Sequence, residues 1–174
     1  MNFIELVKER YSCRSFLEKP VEKEKIDLIL EAGRLAPTAG NFQPQRILVI
    51  TDTEKINQLK ECTAFTFNAP IIFAICYDKE ASWKRKFDGK DEGVIDVGIV
   101  ATHMMLQITE LGLASTLVGY FDPIKATKIL SIPENYEIEN LLPFGYPALD
   151  GKPSTKHFER KDIKEIVYWN NFTK

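Results

Sequence analysis

Histidine and cysteine are scarce in this 174-residue chain: His103, His157, Cys13, Cys62 and Cys76 are the full set. They show neither metal-ligand spacing nor a C-x-x-C pair, which argues against a zinc site and a dithiol redox motif. An odd number of thiols offers no disulfide framework. The expectation is a reduced, cytoplasmic protein whose cysteines serve as small buried hydrophobes. No apolar run is long enough to span a bilayer, and "MNFIELVKERYS" contains no signal-peptide core. A net charge of −2 provides no general attraction to nucleic acid or an anionic membrane. G-x-G-x-x-G and G-x-x-x-x-G-K-[ST] are both missing, so neither a dinucleotide Rossmann site nor a P-loop is indicated. No Ser-His-Asp, Cys-His or paired-carboxylate arrangement stands out, which argues against hydrolysis.

What remains is ordinary in bulk, 44% hydrophobic and 28% charged, and the length suits a single domain over residues 1–174. Residues 2–9 suit a short first helix, and "VEKEKIDLILEAGRLAP" a second, stopped by Pro37. "RILVIT" at 46–51 and "PIIFAICY" at 70–77 read as strands, separated by a helix over 53–62 that Asp52 can cap. Residues 91–112 are the longest helical candidate and are apolar around nearly the whole circumference, which suits a core or interface helix closed by Gly112. On it, His103 reads as a satisfied core histidine. "STLVGYF" at 115–121 predicts a third strand, Asp122-Pro123 opens a helix over 123–130, and 138–148 is strand-like. Residues 149–174 form a polar arm carrying the apolar patch Ile166–Trp169, which would stay wet unless it docks on a second subunit.

Four short stretches can carry chemistry. Arg10, Ser12 and Arg14 in "RYSCRSF" can converge on a phosphate, or can simply be solvated at a helix end. "APTAGNFQPQ" at 36–45 sets Thr38, Asn41 and Gln43 beside a strand. These groups can match the edge of a heterocycle, or only shape a polar turn. Gly119 in "TLVGYF" permits close approach to the backbone or ends a strand. Lys156, His157, Arg160 and Lys161 are a late basic cluster or a solvated tail.

The order of these features resembles the FMN-dependent nitroreductase family over nearly the whole chain. The R-x-S-x-R/K motif is Arg10 to Arg14, and A-P-S/T-x-x-N-x-Q-P is Ala36 to Pro44. Asp96 to Ala101 match a D-x-G-x-A-like central helix, followed by L-G-L at 111–113 and Leu117-Val118-Gly119. I/L-P-E at 132–134, G-Y-P at 145–147 and a basic residue, Arg160, before Ile163–Val167 complete the set. Two positions depart from the family: Gln45 stands where Trp is frequent, and Tyr11 where Arg or His is frequent. The chain is also short, so an insertion forming part of the substrate channel is reduced.

The resemblance implies an α+β fold, a mixed, mostly antiparallel sheet flanked by helices, assembled as an intertwined homodimer. Two FMN sites would lie at the interface, with the arm 149–174 extending over the partner. Arg10, Ser12, Arg14 and Arg160 would hold the phosphate, and Tyr11, within the same motif, would be a further cofactor-binding residue. Pro37, Thr38, Asn41 and Gln43 would meet the ring and ribityl chain, and the backbone of Leu117, Val118 and Gly119 would face the isoalloxazine. The implied activity is ping-pong transfer of two electrons from NAD(P)H to a nitroaromatic, quinone or similar small acceptor. A flavin-binding module without turnover, or reductive dehalogenation or flavin cleavage on the same scaffold, are the alternatives. No catalytic acid or base is singled out.

Overall fold

A computed structural model describes residues 2–172. Its centre is a four-stranded sheet in the order β1-β2-β4-β3, formed by Gln45–Ile50 (β1), Ile71–Asp78 (β2), Ala114–Ser115 (β3) and Tyr136–Gly145 (β4). All three strand pairings are antiparallel. The mixed sheet of the expectation is thus reduced, within the described residues, to one isolated parallel bridge, Ser12 to Ser115.

β2 is buried along its whole length, as a β-branched run between two neighbours should be. Its side chains alternate between two cores. Ile71, Phe73, Ile75 and Tyr77 face the helix α4 (Gly93–Glu110) and, behind it, α2 (Lys23–Arg34). Ile72, Ala74 and Cys76 face α3 (Thr53–Leu59) and α5 (Pro123–Leu130). Phe73 packs against Phe144 of β4 as a tilted pair with ring centroids 4.6 Å apart, and burying each ring is worth about 2–3 kcal/mol. Gly33 of α2 lets α4 approach closely, since a Cβ there would lie 3.0 Å from Met104.

The helix ends follow their capping chemistry. Asn2 and Glu5 form a capping box on α1 (Phe3–Glu9), Asp52 caps α3, and Asp122 with Pro123 opens α5. Gly112, at φ 72°, supplies the left-handed turn that ends α4.

Three expectations need correction. The strand predicted over 115–121 ends at Ser115; beyond it only Val118 rejoins β4, in a single bridge to Leu141. Thr116 N–H donates to Pro143 and Val118 exchanges bonds with Leu141, and the chain then leaves the ladder at Gly119. The last strand spans 136–145, because Pro147 pairs instead with Phe16. His103 is not a satisfied core residue: its ring is half-buried and has no hydrogen-bond partner among the described residues.

The circumference of α4 divides. Val97, Val100, Ala101, Met104 and Ile108 enter the core, while Val94 and Ile95 are nearly half exposed. β1 is an edge strand, with Leu48 and Val49 partly exposed and no strand among the described residues on its outer side. In the C-terminal arm, α6 (Ile163–Ile166) is a single capped turn, and Ile166 and Trp169 are exposed.

Candidate functional site

The segment after α1 is extended and joins the far side of the sheet. Cys13 N–H donates to the Ser115 carbonyl at 3.0 Å, next to the Ser12–Ser115 bridge. In this conformation alternate side chains point opposite ways. Cys13 is fully buried, packed with Phe16, Ala69 and Ala114, and its thiol is pushed up by burial. Arg10, Ser12 and Arg14 line a cavity of about 200 Å³ together with Ser154, Lys156, His157 and Arg160.

The charge in this cavity has one sign. None of its lining residues carries a carboxylate, and Arg10, Arg14 and Arg160 form no ion pair among the described residues. Arg14 donates to the Ser12 carbonyl at 3.3 Å, and Arg160 to the carbonyls of Glu159 and Lys156 at 2.7 and 3.3 Å. His157 Nε2 contacts the Lys8 carbonyl at 3.1 Å, which requires that nitrogen to carry a proton. Hydroxyls and uncompensated guanidiniums in a small concavity are the donor set a phosphate takes.

Tyr11 has a different place. Its hydroxyl donates to the Gly151 carbonyl at 2.7 Å, and burial pushes its phenol up to about 12. Ser15 donates to Asp150 at 2.8 Å alongside. These bonds fasten the root of the C-terminal arm to the arginine segment, which brings Arg160 to Arg10 and Arg14.

The second predicted constellation is a strained turn. Gly40, Asn41 and Gln43 all hold left-handed backbone, at φ 57°, 59° and 51°. Such residues cost roughly 1 kcal/mol or more apiece unless they are glycine, and persist where the surroundings over-determine them. The turn closes on itself through Gln43 N–H to Thr38 Oγ1 at 3.1 Å and Gln43 Nε2 to the Asn41 carbonyl at 3.3 Å. Two side chains outside it hold its ends: Asp96, which the sequence shows only as the first residue of the central-helix motif, and Arg46, which no motif marks. Asp96 Oδ1 accepts the Ala39 N–H at 2.8 Å, and Arg46 donates to the Gln43 carbonyl at 3.2 Å. Arg46 is in turn held by Asp78 at 3.1 Å.

Leu117–Gly119 offers backbone rather than side chain at its centre. Val118 is buried in the second core, whereas Leu117 and Gly119 are exposed, and the Gly119 N–H has no partner among the described residues. Beside it lies the loop Thr63–Asn68, which carries no recognisable motif. Thr63 donates to the Tyr120 carbonyl at 2.8 Å, the Phe65 ring meets Tyr120 at 5.9 Å, and Phe67 packs on Cys13. Phe67 and Asn68 are left-handed as well. The alternation "FTFN" ahead of a strand was the available signal.

The chain therefore brings Arg10, Ser12, Arg14 and Arg160 together, with Leu117–Gly119 following on from Ser115. It does not bring Pro37–Gln43 to them. That turn sits at the Gln45–Tyr77 end of the sheet, while Ser12 joins at the end where Ile71 pairs with Phe144. The length of β2 separates these ends by roughly 20 Å. No group of three or more His, Cys, Asp or Glu is placed to hold a metal among the described residues, and no helix is long and apolar enough to cross a membrane.

Comparison with known proteins agrees with this architecture. The model of the nitroreductase family matches residues 7–64 and 57–146. A nitroreductase family protein from Clostridium difficile 630 has a TM-score of 0.92 at 45% identity, with 98% of this chain and 99% of that one covered. An FMN-dependent nitroreductase from Clostridium difficile R20291 has a TM-score of 0.81 at 30% identity, covering 98% and 100%. An FMN reductase (NAD(P)H) from Bacillus subtilis is 26% identical over 163 residues, 83% of this chain and 66% of that protein.

Proposed function

Since this chain belongs to the nitroreductase family, we propose that it is an FMN-dependent oxidoreductase passing two electrons from NAD(P)H to nitroaromatics, quinones or related small acceptors. The observation that carries this reading is the meeting of Arg10, Arg14 and Arg160 with Ser12 in one small concavity without a carboxylate. The donor set fits a phosphate monoester, and exposed Gly119 follows in the chain from Ser115, which pairs with Ser12.

When bound, FMN supplies the hydride chemistry. The residues of this chain bind and orient it. Arg10, Ser12, Arg14 and Arg160 hold the phosphate by charge-assisted hydrogen bonds. Thr38, Asn41 and Gln43 present a hydroxyl and amides to the ring and ribityl chain, Pro37 shapes their approach, and the backbone of Leu117–Gly119 lines the isoalloxazine side. Tyr11 contributes by fastening the arm through its hydroxyl, whose proton is committed to the Gly151 carbonyl rather than to the flavin.

The distance between the arginine cavity and the 37–43 turn supports a homodimer, with the turn of one copy completing the site of the other. The exposed Val94 and Ile95 on α4, the apolar arm residues and the open side of β1 supply surface for that assembly. Residues 149–174 would then pack on the partner.

Spectra of the purified protein before and after anaerobic NADH or NADPH addition test the proposal. A flavin spectrum that bleaches is the expected result. A bound flavin that neither nicotinamide reduces would turn the reading to a binding module, and a protein that takes up no FMN would overturn it.

A further inference from the structure

Asp96 is buried on the core side of α4, 1% exposed, in a position whose neighbours Val97 and Val100 are apolar. Its Oδ1 accepts the Ala39 N–H at 2.8 Å, and its Oδ2 has no hydrogen-bond partner among the described residues. The charges acting on it, Glu92 and Asp91, are acidic too, and burial raises its pKa. Burying a carboxyl group for a single hydrogen bond disfavours the fold. An apolar side chain would serve packing better, so the hydrogen bond itself is where a role for Asp96 lies.

The bond ends on the first residue of the strained turn. Ala39 precedes Gly40, Asn41 and Gln43, all left-handed. Ala36 seats the start of the segment in the core. The bonds of residues 38–43 among themselves, from Asn41 N–H to the Thr38 carbonyl, Phe42 N–H to the Ala39 carbonyl and Gln43 to Thr38 and Asn41, shape the turn without tying it to α4. Arg46 restrains the exit through the Gln43 carbonyl, and Asp96 restrains the entry.

We propose that Asp96 is the positioning residue of this turn: by accepting the Ala39 N–H it aims Thr38, Asn41 and Gln43 at the flavin ring and ribityl chain, acting as a hydrogen-bond acceptor and not as a charge. The inference rests on the assignment of the turn to the flavin made under the proposed function. Asp96 does not touch the phosphate residues, so its effect falls on the part that FMN and riboflavin share.

The test compares wild type, Asp96→Asn and Asp96→Leu as full-length chains freed of flavin. Each is titrated with FMN and with riboflavin, and amide hydrogen exchange is followed at Ala39. Asparagine keeps the acceptor and drops the charge, so it is expected to bind both flavins within about twofold of wild type and to keep Ala39 protected. Leucine removes the acceptor and is expected to weaken both flavins by the same factor, about tenfold or more, with faster exchange at Ala39. Equal binding by wild type and Asp96→Leu overturns the proposal, as does an asparagine variant that behaves like leucine. If the leucine variant does not fold, the asparagine variant decides: wild-type affinity and protection are required, and loss of either overturns the proposal. A wild type that binds neither flavin while Ala39 stays protected overturns the functional reading instead.

Discussion

The Tyr11 hydroxyl donates a 2.7 Å hydrogen bond to the carbonyl of Gly151, joining residues 140 positions apart. Gly151 can be nothing larger without movement, because a Cβ there would lie 2.5 Å from the Ser15 carbonyl oxygen. Tyr11→Phe should lower stability by about 0.5–1.5 kcal/mol. Gly151→Ala should lower it by about 1–3 kcal/mol through the backbone shift it forces. Thermal melts check both. Gly151→Ala should also weaken phosphate binding, since the shift displaces the root of the segment that carries Arg160.

Arg14→Ala removes one guanidinium from the cavity without touching a core residue. FMN affinity should fall by roughly one to two orders of magnitude. Riboflavin, which lacks the phosphate, should bind wild type weakly and lose little more in the variant. Equal losses for both ligands, measured by fluorescence titration, would assign Arg14 to the fold.

Truncation after Gly151 removes Arg160 and the exposed apolar residues of the arm together. Sedimentation should show a dimer at micromolar concentration for the full chain and monomer for the truncated one, with lower FMN occupancy. A full-length chain that sediments as a flavin-loaded monomer would contradict the shared site.

The pH dependence of stability should carry a signature of Asp96. Its pKa is raised above the ordinary 3.8, mainly by burial and then by Glu92 and Asp91. The turn packed on it, residues 36–43, contains no titratable group, and Tyr77 of β2 packs one turn earlier, on Gly93. The native state keeps this proton at pH values where the unfolded chain has released it, so stability falls as pH rises from the ordinary value. Asp96→Asn lacks that loss. The stability of Asp96→Asn relative to wild type should therefore grow as pH rises from 3.8 and level off above the raised value. A flat difference across acid denaturation curves would show that Asp96 titrates normally.

Donor and acceptor are expected to use one site in turn, since the chain offers no second nucleotide motif. Initial-rate plots at several NAD(P)H concentrations should then be parallel. Intersecting lines would show that both substrates bind together.

Much of the fold was legible because its signals are local. The apolar run of β2, Asp52 before α3 and Asp122-Pro123 before α5 are all settled by residues a few positions apart. The segment 115–121 was misread because Thr116, Leu117 and Val118 have strand composition, whereas pairing depends on what β4 offers opposite them. In the candidate site, Arg10 and Arg14 stand out as a charge pattern in the sequence, while Arg160 joins them only through the family resemblance. The roles of Asp96 and Arg46 were not legible, since each acts on a turn through a contact that only the folded chain creates: Asp96 stands out only as the first residue of the central-helix motif, and Arg46 only as the first residue of a strand.

The open side of β1 has a cost during synthesis. Unpaired backbone groups flanked by half-exposed Leu48 and Val49 are a template for any extended segment that meets them, including the apolar arm of another nascent chain in a wrong register. Correct and incorrect growth of the sheet therefore compete from the moment the first chains fold. The proportion of usable protein should depend on expression rate and temperature more than on the stability of the finished fold, and variants that weaken the arm should be lost to inclusion bodies before they are lost to unfolding.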